Sequence, residues 1–454
     1  MSGTRIASVS GLRGVVGDGL DPASAVEFAA AYASTCAAGP IVVGHDGRVS
    51  APVFVPAVLS GITGTGRDAL LVGPAATPTL GRLVRDQRAA GGVMISASHN
   101  PPSYNGLKFF QPEGMVLSPV QGREVLRRFN GRQFGWAAWD ALGRVRSLED
   151  PDVAHLNAVL KTVDVRAVRG KAFSVVLDAC HGGGGRMGAE LLRALGCKAV
   201  VLGGQPDGRY DHTPEPTEAN LRAFAPIVPA TGAAVGFAQD PDADRLAVVD
   251  ETGRYIGEEL TLALAARRRL GQVRGPVVIN LSTSMVIEAI ARGFDCPVHR
   301  TAVGEINVVE RMRELGAVLG GEGNGGVIDP RVGFVRDSFV AMALILDLMA
   351  ETGEPLSRLV DALPRFGMVK HQYPLPGPDG AEAVAALWDR VSAGYPDAEA
   401  DRRDGLRLQW PDRWVHVRAS NTEPIVRVIA EAGDASLAEG LAREVGRKVT
   451  SGGP

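Results

Sequence analysis

Gly92 to Phe110 reads G-V-M-I-S-A-S-H-N-P-P-S-Y-N-G-L-K-F-F, and how this stretch folds decides the rest. The apolar run Val93 to Ile95 predicts a short buried strand. Ser98, His99, Asn100, Pro101 and Pro102 break it into a loop, Asn105-Gly106 signals a turn, and a second apolar stretch resumes at Leu107. The strand thus delivers Ser98 and His99 to the mouth of a loop, with Lys108 just beyond the turn. A hydroxyl, an imidazole and an amine on a stiff proline-rich connection suit a serine that carries a phosphoryl group.

Upstream, strand and helix patterns alternate. Asp21 is a good N-cap with Pro22 in the first turn, and an alanine-rich helix is expected over Ala23 to Ala38. A strand Ile41 to Gly44 ends in His45-Asp46-Gly47-Arg48. Helix Pro52 to Thr63, strand Leu70 to Val72 and helix Leu80 to Arg88 follow. This β-α-β order implies a mostly parallel sheet, with active loops at the strands' carboxyl ends. Arg13, Asp46, Arg48 and Ser98 all fit there. Gly11 and Gly14 flank Leu12 and Arg13, which predicts a flexible backbone and a guanidinium able to reach an anion.

At 454 residues the chain is long enough for two to four domains. A charged fraction of 22 %, a hydrophobic fraction of 45 % and a net charge of -3 are those of a soluble globular protein with no general attraction to nucleic acid or membrane. Cys36, Cys180, Cys197 and Cys296 have no metal-type spacing, so reduced thiols in a cytosol are expected. No signal peptide is visible, and the longest apolar stretch, Phe339 to Leu346, is too short to span a bilayer.

A second α/β round, 151–254, has strands Ser174 to Asp178 and Lys198 to Leu202. The glycine run Gly182 to Gly185 between them fits close strand-helix packing better than a phosphate loop. It contains Asp240-Pro241-Asp242-Ala243-Asp244-Arg245. Three carboxylates alternating along an extended loop offer the oxygen-only ligands of Mg²⁺. An EF-hand is excluded, because Arg245 holds the position that needs glycine and a strand follows instead of a helix. A third round, 255–366, carries Gly320-Gly321-Glu322-Gly323-Asn324-Gly325-Gly326, a carboxylate and an amide in a glycine frame that fits sugar hydroxyls. The last segment, 367–454, reads as a small α+β domain with an antiparallel sheet. Between two of its strands lies Arg418-Ala419-Ser420-Asn421-Thr422-Glu423-Pro424, with Arg427 beyond it, a phosphate cradle without a catalytic group.

In this order, S-A-S-H-N-P, D-P-D-A-D-R, G-E-G-N-G-G and R-A-S-N-T-E-P resemble the motifs of the α-D-phosphohexomutase family over essentially the whole chain. The resemblance implies three mixed α/β domains with mostly parallel sheets and a C-terminal α+β domain, arranged around a central cleft. Their expected roles are a phosphoserine domain (1–150), a Mg²⁺-binding domain (151–254), a sugar-recognition domain (255–366) and a phosphate-binding domain (367–454). It implies that Ser98 is the phosphorylated nucleophile and, with Asp240, Asp242 and Asp244, binds Mg²⁺. Arg245, Glu322, Asn324, Arg418, Ser420, Asn421, Thr422 and Arg427 would hold the phosphorylated hexose or hexosamine. Lys108, Arg13 and His99 are candidates for proton transfer and charge stabilisation, and a sugar 1,6-bisphosphate would be the intermediate and activator.

Many bacterial members carry a sugar loop of the form G-E-x-S-G-H; here Asn324 replaces the serine and Gly326 the histidine. This form looks like the archaeal-type phosphoglucosamine mutase and phosphomannomutase subgroup. The expected activity is phosphoglucosamine mutase, with phosphomannomutase/phosphoglucomutase and then a non-catalytic phosphosugar-binding relative as alternatives. A cytoplasmic monomer or homodimer is expected.

Overall fold

The structure, a computed structural model, describes residues 6–9, 11–375, 381–419 and 425–450. The chain divides into two compact units, Met1–Arg269 with Val318–Asp361, and Leu270–Ala317 with Ala362–Pro454.

In the first unit, Gly91–Ile95 and Ile41–His45 lie side by side in parallel, as do Ile41–His45 and Ala69–Pro74. The chain then reverses. Tyr104–Phe110 pairs antiparallel with Gly91–Ile95, and Gly11–Val16 pairs antiparallel with Tyr104–Phe110. The sheet is therefore mixed, with its parallel strands on one side of Gly91–Ile95 and antiparallel ones on the other. The Gly11 to Gly14 segment is one of those strands, not a flexible loop. A Cβ at Gly11 would stand 2.0 Å from the Leu107 carbonyl oxygen, so glycine there allows close approach of two strands.

Helix Pro22–Ala33 begins at Asp21, whose carboxylate accepts from the Ser24 amide, and ends five residues before the expected Ala38. Its small buried face (Ala25, Ala29, Ala30, Ala33) lets helix Ala51–Gly64 approach so closely that a Cβ at Gly61 would meet the Val26 carbonyl oxygen at 2.4 Å. Phe28 and Tyr32 stack on Phe109 in the core below. The buried Tyr32 hydroxyl donates to the Phe110 carbonyl at 2.6 Å and accepts from the Gly92 amide at 2.9 Å, holding the strands on both sides of the Ser98 loop. Tyr32→Phe is expected to destabilise this unit by about 1–3 kcal/mol, the range for buried groups that lose a partner. Denaturant unfolding followed by circular dichroism would read it as a lower midpoint.

A second sheet in this unit runs Lys198–Leu202, Ser174–Asp178, Val235–Gln239, Leu246–Asp250; the first three strands are parallel and the last antiparallel. The acidic motif is thus the connection of the hairpin Val235–Gln239/Leu246–Asp250. The Gly182 to Gly185 run serves packing: a Cβ at Gly183 would meet the Ala75 carbonyl oxygen at 2.1 Å. Leu319–Glu322 and Gly326–Ile328 form a tight antiparallel hairpin around Asn324. Helix Ser338–Thr352, capped by Asp337, is buried from Ser338 through Ala350. No helix among the described residues is long and apolar enough to cross a membrane.

In the second unit, Val277–Asn280 pairs in parallel with Val298–Thr301. A five-stranded sheet runs Gly367–Pro374, Ile425–Ala432, Trp414–Ala419, Leu406–Gln409, Glu399–Asp401, antiparallel throughout. Leu387, Val391, Leu441 and Val445, from helices Ala381–Ala393 and Ala435–Thr450, share its core. The expected α+β segment is present.

Candidate active site

Ser98 follows the buried strand Gly91–Ile95 and adopts φ +48, a left-handed conformation that costs a non-glycine residue free energy and must be held by its surroundings. Its amide donates to Ser96 Oγ at 2.8 Å, and Ser96 Oγ donates to Asp46 Oδ2 at 2.6 Å. Arg48 binds the same Asp46 oxygen. Its guanidinium also donates to the carbonyls of Ser98, Asn100, Pro101 and Tyr104, at 2.5 to 2.9 Å. Arg48 is 1 % exposed. It is neither a surface ion pair nor an anion ligand; it is the bolt that fixes the loop.

The Ser98 hydroxyl points at the acidic motif and donates to Asp240 Oδ2 at 2.8 Å. That motif is a compact turn and not an extended loop. Ala243 takes φ +54, and Asp240 Oδ1 folds back to accept the Asp244 and Arg245 amides. Asp240, Asp242 and Asp244 are fully buried, and one carboxylate oxygen from each lies within 4.8 Å of the others. Cations and donors partly offset this. Lys108 Nζ reaches Asp242 Oδ2 at 3.0 Å and Asp244 Oδ2 at 3.1 Å; Thr77 Oγ1 donates to Asp242 Oδ2 at 2.6 Å; Arg336 Nη2 donates to Asp244 Oδ2 at 2.7 Å.

The compensation is incomplete. Burial, followed by repulsion from Asp242 and Asp244, pushes the Asp240 carboxyl well above the usual range. Burial pushes Asp242 up as well, yet Lys108 and Thr77 hold it below its ordinary value; burial at Asp244 is outweighed by Arg336 and Lys108. Asp242 Oδ1 and Asp244 Oδ1 are buried without a hydrogen-bond partner. Two orphaned hard oxygens in an over-charged pocket fit a divalent cation. The triad can hold a metal ion.

Around this centre stand the other expected residues of the unit. His99 Nδ1 is 3.3 Å from Ser98 Oγ. Burial, with Arg245 and Arg13 adding, lowers its pKa to about 3, so the imidazole is neutral at physiological pH. Arg13 Nη1 donates to Asn100 Oδ1 at 2.8 Å; it is engaged with the loop and not freely mobile. Arg245 lies 3.9 Å from Asp244 Oδ1 and 4.0 Å from Glu215 Oε1, ion-pair distances too long for hydrogen bonds. Glu322, 4 % exposed, accepts from Arg336 Nη1 at 2.7 Å. Asn324 Oδ1 is buried without a partner, an acceptor suited to a sugar hydroxyl. The hairpin tip is fixed to the strand after the acidic turn: the Leu246 amide donates to the Gly325 carbonyl at 3.1 Å, and Gly325 sits at φ +83.

Thr77, Ser96 and Arg336 were not identified by the sequence reading. Thr77 opens the helix Thr77–Asp86 in an unremarkable T-P-T, and Ser96 is a small polar residue after an apolar run. Arg336 directly precedes the cap Asp337, and only that adjacency could have drawn notice. In the second unit, Arg418 and Arg427 face each other across paired strands, and Arg418 Nε donates to Asp404 Oδ1 at 2.8 Å. Two like charges directly opposite destabilise a sheet unless an anion joins them. Ser420, Asn421 and Thr422 lie outside the described residues.

The phosphoglucomutase/phosphomannomutase alpha/beta/alpha domain profiles I, II and III match residues 4–135, 153–253 and 257–366, and the C-terminal domain profile of the same set matches 376–448. A Methanopyrus kandleri chain named "Probable phosphoglucosamine mutase" is 37 % identical over 426 residues, 93 % of each chain. The chain belongs to the phosphoglucomutase/phosphomannomutase family. A Thermococcus kodakarensis phosphoglucomutase/phosphomannomutase is 36 % identical over 93 % of each chain. The crystal structure of a Burkholderia thailandensis family protein matches with a TM-score of 0.84, at 27 % identity over 99 % of this chain and 98 % of that one. An Aspergillus fumigatus N-acetylphosphoglucosamine mutase, solved with GlcNAc-6P and magnesium, shares the fold at TM-score 0.55 and 17 % identity, over 83 % of this chain and 92 % of that one. The present chain is thus a phosphohexomutase, an isomerase that transfers a phosphoryl group within its substrate. Its buried acidic triad fits the metal ion used in this family.

Proposed function

We propose that this phosphohexomutase interconverts glucosamine 6-phosphate and glucosamine 1-phosphate, with Ser98 as phosphoryl carrier. One observation carries the chemistry: the Ser98 hydroxyl is held 2.8 Å from Asp240 Oδ2 in a buried triad that retains unpartnered oxygens. In the charged enzyme the phosphoserine Oγ–P bond breaks as a sugar hydroxyl oxygen bonds to phosphorus. The hydroxyl proton passes to a base among Lys108, His99 and Arg13, and a protonated group of the same set returns a proton to the departing Ser98 Oγ, which ends as the hydroxyl seen here. The neutral imidazole of His99, 3.3 Å from Oγ and with its pKa lowered to about 3, is a weak base, suited to hydrogen-bonding Oγ more than to holding the proton. Lys108 and Arg13 supply positive charge as the phosphoryl group moves. Asp240, Asp242, Asp244 and the Ser98 oxygen would hold Mg²⁺, which when bound neutralises phosphoryl charge.

The resulting sugar 1,6-bisphosphate turns round and returns its other phosphoryl group to Ser98. Arg245, Glu322 and Asn324 would read the sugar in both orientations. Arg418 and Arg427, with Ser420, Asn421 and Thr422, would grip the phosphate that is not reacting. On this reading, residues 1–150 carry the phosphoserine, 151–254 the metal loop, 255–366 the sugar loop and 367–454 the phosphate loop. The enzyme works in the cytoplasm as a monomer or homodimer.

The amino sugar is favoured by the M. kandleri relative, while the T. kodakarensis relative supports mannose and glucose phosphates as the second reading. The test compares kcat/KM for glucosamine 6-phosphate, mannose 1-phosphate and glucose 1-phosphate, with Mg²⁺ and a trace of sugar bisphosphate. The expected outcome is at least a tenfold preference (about 1.4 kcal/mol in transition-state binding) for the amino sugar. Preference for mannose or glucose would install the second reading. Tight binding without turnover of any of them would reject the mutase.

A further inference from the structure

Gly326 opens the strand Gly326–Ile328, and its backbone is not at positive φ, so its conformation does not demand glycine. Space does. A Cβ there would stand 2.3 Å from Arg336 Cδ, 2.9 Å from Arg336 Cγ and 3.1 Å from Asn324 Oδ1. The room a side chain at 326 needs is filled by Arg336, which arrives from the turn before helix Ser338–Thr352.

Arg336 is 9 % exposed, and its two terminal nitrogens divide between two loops. Nη1 donates to Glu322 Oε2 at 2.7 Å, and Nη2 to Asp244 Oδ2 at 2.7 Å. A planar guanidinium can bridge two carboxylates at a fixed spacing; an ammonium is a point charge on a flexible stem. Each contact is a charge-assisted hydrogen bond at the short end of its range.

We propose that Arg336 is the sugar-positioning residue of this site: it takes the place of the loop's own side chain at 326 and fixes the Glu322 carboxylate relative to the acidic turn. The inference rests on the phosphosugar reading above. Held by the guanidinium, Glu322 stays an acceptor of defined direction for a sugar hydroxyl or amino group. The glycine at the end of G-E-G-N-G-G and the arginine before the helix cap are then one device.

The test uses the full chain and four variants: Arg336→Met, Arg336→Lys, Gly326→His, and Gly326→His with Arg336→Gly. Arg336→Met is expected to raise KM for the preferred sugar phosphate about tenfold or more, the scale of one lost charge-assisted hydrogen bond. kcat at saturating sugar and Mg²⁺ should fall as well, through the lost contact to Asp244, but by less than KM rises. Arg336→Lys should not restore KM. Gly326→His alone should displace Arg336 and copy the Met variant. The double variant should bind better than Gly326→His alone, a non-additivity that reports shared space.

Binding of glucosamine 6-phosphate by calorimetry in EDTA gives a second readout, independent of turnover and metal. Arg336→Met with unchanged KM and unchanged binding would overturn the inference. So would Gly326→His with wild-type parameters beside an intact Arg336. If the unmodified enzyme turns over no phosphohexose, the functional reading has failed; an active enzyme indifferent to Arg336→Met fails this inference alone.

Discussion

Ser98→Ala is expected to abolish turnover, with kcat lowered by about 10⁴-fold or more, as removal of a covalent nucleophile does. The reason is geometric. The loop places one hydroxyl, and only that of Ser98, against Asp240, with His99 and Lys108 around it. The fold should survive. Alanine removes a single oxygen, and the supports of the strained backbone are the Ser96 hydroxyl and the Arg48 guanidinium, neither of which is lost. The Ser98 hydroxyl is one of several donors to Asp240, whose other oxygen keeps the Asp244 and Arg245 amides, so its loss removes a single hydrogen bond. The unfolding midpoint should therefore stay within a few degrees of the unmodified chain, which corresponds to about 1 kcal/mol or less. Incubation with ³²P-labelled glucose 1,6-bisphosphate should label the unmodified protein and not the variant. Measurable wild-type turnover in Ser98→Ala would remove Ser98 from the mechanism. Labelling of the variant would point to another acceptor.

How much of this was legible depended on how local the signal was. Ser174–Asp178 and Lys198–Leu202 are short runs rich in valine and leucine, and their bounds follow from composition. The loops carrying Ser98, the acidic triad and Glu322 stood out because each packs several polar groups into a few residues. Non-local features were not. The turn expected at Asn105-Gly106 is not there: both residues lie inside strand Tyr104–Phe110, and the chain reverses earlier, at the tight Pro101–Tyr104 turn, before Gly11 meets Leu107. Helix Val153–Leu160 was missed because its apolar face is short and ambiguous. It carries the buried His155, whose ring bonds Thr79 on one side and Asp337 on the other. Arg48 could be seen in the sequence, but not its role, since four of its partners are backbone carbonyls 50 or more residues away. Arg336 is the sharpest case: its meaning lies in a glycine ten residues earlier and in an aspartate from another hairpin.

Asp242→Asn is expected to raise the Mg²⁺ concentration for half-maximal activity at least tenfold and to lower kcat/KM by about 10²-fold, comparable to loss of one electrostatic contact at a reacting centre. Asp242 Oδ1 is one of the two orphaned oxygens of the triad, and a carboxamide there brings a neutral, weaker donor. The same change also removes the carboxylate that accepts from Lys108 Nζ and Thr77 Oγ1, the partners that hold Asp242 below its ordinary pKa in the metal-free chain. Removing one partner of a buried ion pair should lower the metal-free unfolding midpoint. Added Mg²⁺ should then raise the midpoint of the unmodified chain, because an ion that binds only the folded state stabilises it by mass action. The variant should gain less. The midpoint in EDTA should fall under either role, because the pair with Lys108 is lost; the response to Mg²⁺ separates a ligand from a merely structural carboxylate. A structural role predicts an unchanged rise on adding Mg²⁺. A ligand role predicts a blunted one. Thermal scans of both proteins, in EDTA and across a Mg²⁺ series, decide between them without any assay of turnover.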